Sequence, residues 1–135
     1  MPDTDPVITN DQETLVQNLR TMVEAFVAER DWHQFHSPKN LSMALSIEAA
    51  ELMENFQWVS LEESRKPDKE KLQNLTDELA DVLCYALAIA NELNIDVASA
   101  MKNKMVKNRA KYPVSQYKGC YQKEDAKPKP KDSHP

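Results

Sequence analysis

The sequence predicts an all-α protein: a bundle of four helices that is completed by oligomerisation. A chain of 135 residues has the length of a single domain. Apolar residues recur at helical spacing in four segments, and no strand-like alternation or hairpin turn lies between them. The connections between the segments are short, which is typical of helical bundles.

The first two helices have recognisable start signals. Thr9 or Asn10 can cap the first helix, which ends near Arg30 and has an apolar face made of Leu15, Leu19, Met22, Val23 and Phe26. The loop RDWHQFHSP follows. Its Ser37-Pro38 pair begins the second helix, because proline at the first helical position loses no useful hydrogen bond. We expect this helix to continue to about Trp58.

The third and fourth helices follow a polar connection, SLEESRKPDKE. The third helix starts near Lys69 or Thr76 and ends at Leu93. Asp96 can cap the fourth helix, VASAMKNKMVKNRAKY, and Pro113 closes it.

The two ends of the chain differ in composition from the helical part. We expect a flexible N-terminus over residues 1–8, the helical domain over 9–114, and a mobile Lys/Pro-rich tail over 115–135. No basic or apolar leader is visible at the start, and no apolar stretch approaches the roughly 20 residues that span a bilayer. The two cysteines form no C-x-x-C motif. These features predict a cytoplasmic protein with no membrane partner.

Charge and glycine content limit the possible functions. Residues 1–96 contain 19 acidic and 7 basic residues, whereas residues 97–135 contain 3 acidic and 10 basic ones. The acidic part is a poor surface for nucleic acid, and the basic part either meets an anionic ligand or simply neutralises the acidic part. Gly119 is the single glycine, which excludes a glycine-rich phosphate loop and a dinucleotide fingerprint. Phosphate chemistry in this chain must therefore use side chains and a metal ion.

Carboxylates occupy apolar positions on the second and third helices. Glu48 lies within a core stripe, Glu51 lies at its edge, and Glu54 lies on the opposite, solvated side. The core stripe consists of Leu41, Leu45, Leu52 and Phe56. On the third helix, Glu78 and Asp81 form a line with Tyr85 that is distinct from the leucine stripe. That leucine stripe, which we expect to face the core, contains Leu72, Leu75, Leu79, Val82, Leu83, Ala86, Ala90 and Leu93. The Glu78–Asp81 line is surrounded by Ala80, Cys84 and Ala88, so we expect that face to be packed as well.

Each of these two helices thus offers a carboxylate pair at i, i+3 spacing, with few basic partners nearby. The dipole of a helix that starts at Thr76 can account for Glu78, but Asp81, Glu48 and Glu51 are too far from a helix start. Burying unpaired carboxylates costs on the order of several kcal/mol or forces protonation. A hard divalent cation such as Mg²⁺ or Mn²⁺ removes this conflict, and a purely structural carboxylate cluster is the alternative.

The segments EAAELMENFQW and DELADVLCYALA resemble the E-x-x-E…E-x-x-D signature of the MazG-type, all-α nucleoside triphosphate pyrophosphohydrolases. ERDWHQFHSPKNL and KMVKNRAKYPV further resemble the branch of this family that contains the dCTP pyrophosphatases. The resemblance covers residues 19–114. It implies hydrolysis of a nucleoside triphosphate, usually a deoxy one, at the α–β phosphate bond in nucleotide-pool house-cleaning. The expected cofactor is Mg²⁺, with Mn²⁺ as a possible substitute.

The same resemblance assigns roles to individual residues. It implies that Glu48, Glu51, Glu78 and Asp81 are the metal ligands and the catalytic residues, with Glu51 as our candidate for the general base. It implies a second, substrate-binding set, in which aromatic side chains bind the base and basic side chains neutralise phosphates. This set consists of Trp32, His36, Lys39, Asn40, Trp58, Tyr85, Lys104, Asn108, Arg109 and Tyr112.

One departure from the family pattern concerns base selectivity. The dCTP-selective members carry a histidine nine residues before the loop tryptophan, and Val23 stands there in this chain. We therefore expect a broader range of deoxynucleotides, or acceptance of a modified pyrimidine. The expected partners are a dNTP and further copies of the chain in a dimer or tetramer, without nucleic acid.

Two other classes of protein are alternatives to the enzyme. One is a non-catalytic helical oligomerisation module with a structural metal ion. The other is a carboxylate-bridged di-iron protein, which is disfavoured because neither acidic pair has the Glu-x-x-His spacing of such bundles.

Overall fold

The computed structural model describes residues 7–120, and its regular elements are all helical. A 3₁₀ turn at Trp32–Gln34 separates the first two helices. The helices are α1 (Val16–Glu29), α2 (Pro38–Glu54), α3 (Leu61–Ser64), α4 (Lys69–Glu92), α5 (Val97–Lys111) and α6 (Val114–Tyr117). The predicted all-α class is confirmed. Residues 1–6 and 121–135, which hold most of the predicted flexible N-terminus and tail, lie outside the described residues.

The start of α1 is later than predicted. The Asn10 side chain caps a turn, because its Oδ1 accepts hydrogen bonds from the backbone N–H groups of Gln12 at 2.9 Å and Glu13 at 3.2 Å. The helix begins at Val16, where the Asn18 side chain accepts the Leu15 N–H at 2.9 Å. The capping signal at Asn10 was therefore real but belongs to the turn that precedes the helix.

The other predicted helix starts agree with the structure. Ser37 caps α2 by accepting the Asn40 N–H at 3.1 Å, with Pro38 at the first helical position. Asp68 caps α4 by accepting the Lys71 N–H at 2.8 Å, which selects the earlier of the two predicted starts. The short helix α3 lies inside the predicted polar connection. Ser60 and Glu63 form a capping box, which is recognisable in the sequence, but this helix was not predicted.

The core lies where α1 and α2 pack against α4. Val23 of α1, Leu41 of α2 and Ala88 of α4 form a buried cluster. Tyr85, Leu87 and Ile89 pack against this cluster. Among the described residues, the buried apolar side chains are Val23, Val27, Leu41, Ala88 and Ala90. This is a small core for a chain of this length.

The leucine stripe of α4 does not face this core as predicted. Leu72, Leu79, Leu83 and Leu93 are each at least half exposed. Tyr85 and Ala88, on the line that also carries Glu78 and Asp81, are packed, as expected for that second face. Both faces of α4 are apolar, so periodicity alone did not decide which face meets α1 and α2. Likewise Leu15, Met22 and Phe26 of the predicted α1 face are exposed, while Val27 is buried.

Contacts divide the chain into two units, Met1–Asp96 and Val97–Pro135. The first unit contains α1 to α4, and the second contains α5 and α6. Within the second unit, the rings of Tyr112 and Tyr117 pack edge to face at 5.1 Å. Within residues 7–120 no single helix has the length and apolar composition needed to cross a membrane, although α4 and α5 meet both measures when counted together as one interrupted span.

Leu41→Ala is expected to lower the free energy of unfolding by about 2–5 kcal/mol. Leu41 is 1% exposed and is the one fully buried large side chain among the described residues, so its loss leaves a cavity between α2 and α4. Urea unfolding followed by circular dichroism measures the change. Ser46→Ala, at an exposed position of the same helix, is the control and should change stability by no more than about 0.5 kcal/mol. Equal effects of both substitutions would contradict this description of the core.

Candidate active site

The packing of α2 against α4 gathers carboxylates from both helices. One oxygen from each of Glu48, Glu78 and Asp81 lies within 4.8 Å of the other two. Glu48 and Glu78 are half-buried, and Asp81 is exposed. The two i, i+3 pairs identified in the sequence therefore face each other across one helix interface.

Glu51 is the fourth member of this carboxylate cluster. Its side chain is exposed, yet its carboxyl group lies within hydrogen-bonding reach of the carboxyl groups of Glu48 and Glu78. Glu51 thus stands on the solvent side of the cluster, as expected from its place at the edge of the α2 stripe.

The surroundings of the cluster oppose ionisation of its buried members. Burial raises the pKa of Glu48 first, and a hydrogen bond to the Glu51 carboxyl group and the neighbouring negative charges raise it further. Burial also raises the pKa of Glu78, followed by the charges of Glu51 and Asp81. In the part of the chain that the structure describes, no lysine, arginine or histidine forms an ion pair with these carboxylates.

Two buried oxygens of the cluster lack a hydrogen-bond partner: Oε2 of Glu48 and Oε2 of Glu78. Buried polar atoms are nearly always paired, so orphaned carboxylate oxygens call for a ligand. A hard divalent cation of the Mg²⁺ type prefers an all-oxygen donor set and keeps some positions for water or substrate. The carboxylate cluster fits such an ion by its donor chemistry and by its unpaired buried atoms.

A pocket of about 420 Å³ adjoins the cluster between α1, α4 and the segment that contains the 3₁₀ turn. Asp81 belongs to both the pocket wall and the cluster. The wall is mostly apolar and is lined by Met22, Val23, Phe26, Val27, Trp32, His36, Asp81, Cys84, Tyr85 and Ala88. A flat apolar group bound here would be next to a cation held by the carboxylates.

Aromatic side chains form one end of this pocket. The Trp32 ring packs edge to face against Phe26 at 5.6 Å and lies 5.9 Å from the His36 ring. The guanidinium of Arg30 covers the Phe26 ring at 3.8 Å. Nδ1 of His36 is buried without a hydrogen-bond partner. Aromatic rings beside an unpaired ring nitrogen can hold a heterocyclic base and bind one polar atom of its edge.

Tyr85 brings a hydroxyl group to the same pocket. Burial raises the pKa of Tyr85, and the charges of Glu48 and Asp81 raise it further, so its phenol keeps its proton near neutral pH. Burial and the charge of Asp81 similarly raise the pKa of the Cys84 thiol. Both side chains therefore face the pocket in their neutral forms.

The structure brings some of the predicted substrate-binding residues to the pocket but not all. Trp32, His36 and Tyr85 line it, whereas Trp58 is 89% exposed and does not. Asn40 instead holds the loop before α2, because its Nδ2 donates to the Phe35 carbonyl oxygen at 3.0 Å. Lys39 is an exposed residue of the first turn of α2.

The predicted basic residues belong to the second unit. Lys104, Asn108 and Arg109 lie on α5, where the Asn108 Nδ2 contacts the Met105 Sδ at 3.9 Å. Tyr112 packs against Tyr117, and the Lys111 ammonium lies 5.3 Å from the centre of the Tyr112 ring.

Several apolar residues of the pocket were not predicted. Cys84 and Ala88 follow Asp81 by three and seven residues, on the line of α4 that we expected to be packed, but they were not predicted to line a pocket. Val27 follows Val23 by one turn of α1. Met22 and Phe26 were placed in the core, but the structure exposes them at the mouth of the pocket.

The fold and the site define a class of proteins: all-α proteins with a carboxylate cluster beside an aromatic pocket. Comparisons with known proteins agree with this class. A sequence model described as the MazG-like family matches residues 43–125. The matched range contains both acidic pairs and the whole of α5, so the match does not depend on one short motif. The chain belongs to the MazG-like family.

Individual relatives extend the likeness. The chain is 43% identical over 110 residues to dCTP pyrophosphatase 1 of Mus musculus, covering 79% of this chain and 64% of that protein. It is 39% identical over 104 residues to dCTP pyrophosphatase 1 of Homo sapiens, covering 76% of this chain and 61% of that protein. The chain thus spans somewhat less than two thirds of the length of these curated relatives.

A solved structure shows the same fold. The crystal structure of a pyrophosphatase from Archaeoglobus fulgidus matches with a TM-score of 0.70 and 36% sequence identity. The match covers 79% of this chain and 99% of that one.

Glu48→Gln is expected to raise the melting temperature of the metal-free protein by roughly 2–5 °C near neutral pH. The substitution removes one negative charge from a half-buried group of four, and the raised pKa of Glu48 indicates that the folded state disfavours its ionised form. Differential scanning calorimetry in the presence of a chelator measures the change. The matched control is Glu54→Gln, at an exposed position on the same helix.

Addition of Mg²⁺ should reverse this order of stability. A cation that binds only the folded state stabilises it by mass action, and it binds the wild-type carboxylate cluster more tightly than the cluster of the Glu48→Gln variant. A metal-induced shift that is the same in both proteins would show that the ion does not bind at this cluster.

Proposed function

We propose that this protein is a divalent-metal-dependent pyrophosphohydrolase of deoxynucleoside triphosphates that cleaves the α–β phosphate bond. The products are the nucleoside monophosphate and pyrophosphate. The observation that carries the proposal is the junction at Asp81, where an aromatic pocket meets a cluster of unpaired carboxylates. The sequence likeness to the dCTP pyrophosphatases of mouse and human supports it.

The two halves of this site match the two halves of a nucleotide. The pocket of about 420 Å³, with the rings of Trp32 and His36 at one end, has room for one base and its sugar. The triphosphate then extends from the pocket past Asp81 toward Glu48 and Glu78. Carboxylates repel phosphates, so the cluster serves a triphosphate only by holding a cation, preferably Mg²⁺.

A bound divalent cation would supply neutralisation of phosphate charge and activation of a water nucleophile. Glu48, Glu78 and Asp81 are the residues that would hold it. Glu51, on the solvent side of the cluster, is placed to accept the proton of a water that adds across the α–β bond. The apolar pocket walls fix the base and so fix the position of the reacting phosphate relative to the cluster.

The pocket is also suited to more than one pyrimidine. Val23 supplies an apolar surface, and the buried Nδ1 of His36 is unpaired. A neutral imidazole nitrogen accepts a hydrogen bond in one tautomer and donates in the other. His36 can therefore satisfy the amino group of a cytosine or the carbonyl group of a thymine or uracil. We propose dCTP and related pyrimidine dNTPs as substrates.

We also propose that two or more copies of the chain assemble through α4. Each protomer has only five buried apolar residues among those described, while the leucines at 72, 79 and 83 form an exposed apolar row along one helix. Helices with two apolar faces are typical of cores that are completed by a neighbour. The occupant of this row is a second copy of the same chain.

The activity is tested by incubating the purified protein with each dNTP, with and without Mg²⁺, and separating the products. Monophosphate and pyrophosphate are expected only with the metal.

Asp81→Asn should lower kcat/KM at least about 100-fold, because Asp81 belongs both to the pocket wall and to the carboxylate cluster. Asp77→Asn, an exposed acid one turn earlier on α4, is the control and should retain activity within about twofold.

Other outcomes distinguish the alternatives. Release of orthophosphate and a diphosphate would contradict α–β cleavage. Retention of metal without turnover of any triphosphate would point to the non-catalytic oligomerisation module.

Leu83→Glu is expected to reduce the oligomer to a smaller species, because Leu83 is 54% exposed in the protomer and a charge cannot be buried between two copies of α4. Light scattering coupled to size exclusion measures the mass. Gln73→Glu adds the same charge at an exposed polar position of α4 and should leave the mass unchanged. A monomeric wild type, or an unchanged mass for the Leu83 variant, would overturn the assembly proposal.

A further inference from the structure

The side chain of His33 lies between two carboxylates that come from different helices. Its Nε2 is 2.7 Å from Oε1 of Glu24 on α1, and its Nδ1 is 2.8 Å from Oε1 of Glu92 on α4. His33 itself is the central residue of the 3₁₀ turn. These three residues, which we call the His33 clasp, lie outside the carboxylate cluster and do not line the pocket.

The geometry of the clasp identifies the protonation state of the ring. A neutral imidazole has one N–H donor and one acceptor nitrogen, and an ionised carboxylate offers acceptors only. Both short contacts are therefore hydrogen bonds only when His33 is a doubly protonated imidazolium. Distances of 2.7 and 2.8 Å are typical of charge-assisted bonds.

The neighbouring charges favour the imidazolium. The hydrogen bonds to Glu92 and Glu24, in that order, raise the pKa of His33 above its ordinary value. Arg20 of α1 lines an open cavity together with the three clasp residues. Its guanidinium is bound to Asn91 Oδ1 and to the carbonyl oxygens of Ala90 and Ile95. On the turn itself, Asp31 is bonded to the Gln34 side chain. The groups that face His33 are thus predominantly acidic.

The clasp lies next to a wall of the pocket. Trp32 precedes His33 in the same turn, and its ring packs on Phe26 and near His36. Asp31 has a left-handed backbone, with φ of 52°, so α1 does not continue into the turn and cannot hold it by helical hydrogen bonds alone. Side-chain bonds from His33 reach both α1 and α4, and they add to the Trp32–Phe26 packing that connects the turn to α1.

We propose that His33 is a positioning residue whose imidazolium form holds the Trp32 wall of the pocket against α1 and α4, so that substrate affinity depends on its protonation. This inference rests on the proposed function for the identity of the substrate. Below the raised pKa of His33 the clasp is complete. As pH rises through that pKa, one N–H is lost, one carboxylate faces a lone pair, and the turn is released from one helix.

The test compares wild type with His33→Gln and His33→Arg in KM and kcat for dCTP, from roughly pH 6 to pH 9. At each pH we take the ratio of the wild-type KM to the KM of His33→Gln. This ratio is expected to rise about three- to tenfold across the range and to approach one at its upper end. His33→Arg, whose planar cation can bridge two carboxylates at every pH, should keep a low KM throughout. The kcat values of the three proteins should agree within about twofold at each pH.

A ratio of two KM values measured at the same pH cancels the effects of groups that titrate in all variants, including the phosphates and the carboxylate cluster. A ratio that does not change with pH, an Arg variant that behaves like the Gln variant, or a change confined to kcat would overturn the positioning role. Circular dichroism checks the fold of each variant, and Glu92→Ala provides a second route, since it removes one arm of the clasp and should raise KM at low pH.

An NMR titration tests the clasp independently of turnover. The chain has three histidines, so the His33 imidazole signals can be assigned by their loss in His33→Gln. The pKa should lie above that of a free histidine and fall in Glu24→Gln and Glu92→Gln. An ordinary or lowered pKa would overturn the proposal. A raised pKa together with no turnover of any dNTP would instead refute the proposed function, and with it the effect on substrate affinity, while leaving the clasp in place.

Discussion

The packing of α2 on α4 is the constraint on which the rest of the structure depends. The same interface that buries Leu41 against Ala88 also brings Glu48 to Glu78 and Asp81. Apolar contact therefore holds together groups that repel one another, and two of their oxygens are buried without a partner. A protein selected for stability alone would place leucine at position 48, so the acidic residues indicate a site that is maintained at a cost in stability.

Two surfaces of α4 contribute to the site, and they meet at Asp81. Tyr85, Cys84 and Ala88 face the pocket that α1 and the 3₁₀ turn complete. One turn before them, Asp81 faces both this pocket and the carboxylate cluster completed by α2. In the proposed reaction, base recognition and phosphate chemistry would thus use different partner helices but share a rigid element. This arrangement would fix the distance between the base and the reacting phosphate without a glycine-rich loop.

Features that depend on local sequence were predictable. The caps at Ser37 and Asp68, the helical spacing of Glu48 with Glu51 and of Glu78 with Asp81, and the end of α5 before Pro113 are all determined within a few residues. The choice of packed face on α4 was not local, because both faces are apolar and only the positions of α1 and α2 decide between them. The contact of His33 with Glu92 joins residues 59 positions apart, and no periodicity signals such a pair.

The exposed leucines of α4 and the unpaired carboxylates both leave the isolated protomer with little stability. A protomer that buries so few side chains has little stability with which to offset a repulsive acidic cluster. In the proposed metal-bound assembly, a cation in the cluster would remove repulsion, and a second copy on the leucine row would bury apolar area. Each would bind the folded chain and not the unfolded one. Since α4 carries both surfaces, either event favours the same placement of this helix. Metal and partner should therefore each increase the apparent affinity for the other, because binding energies that stabilise one common conformation are coupled reciprocally.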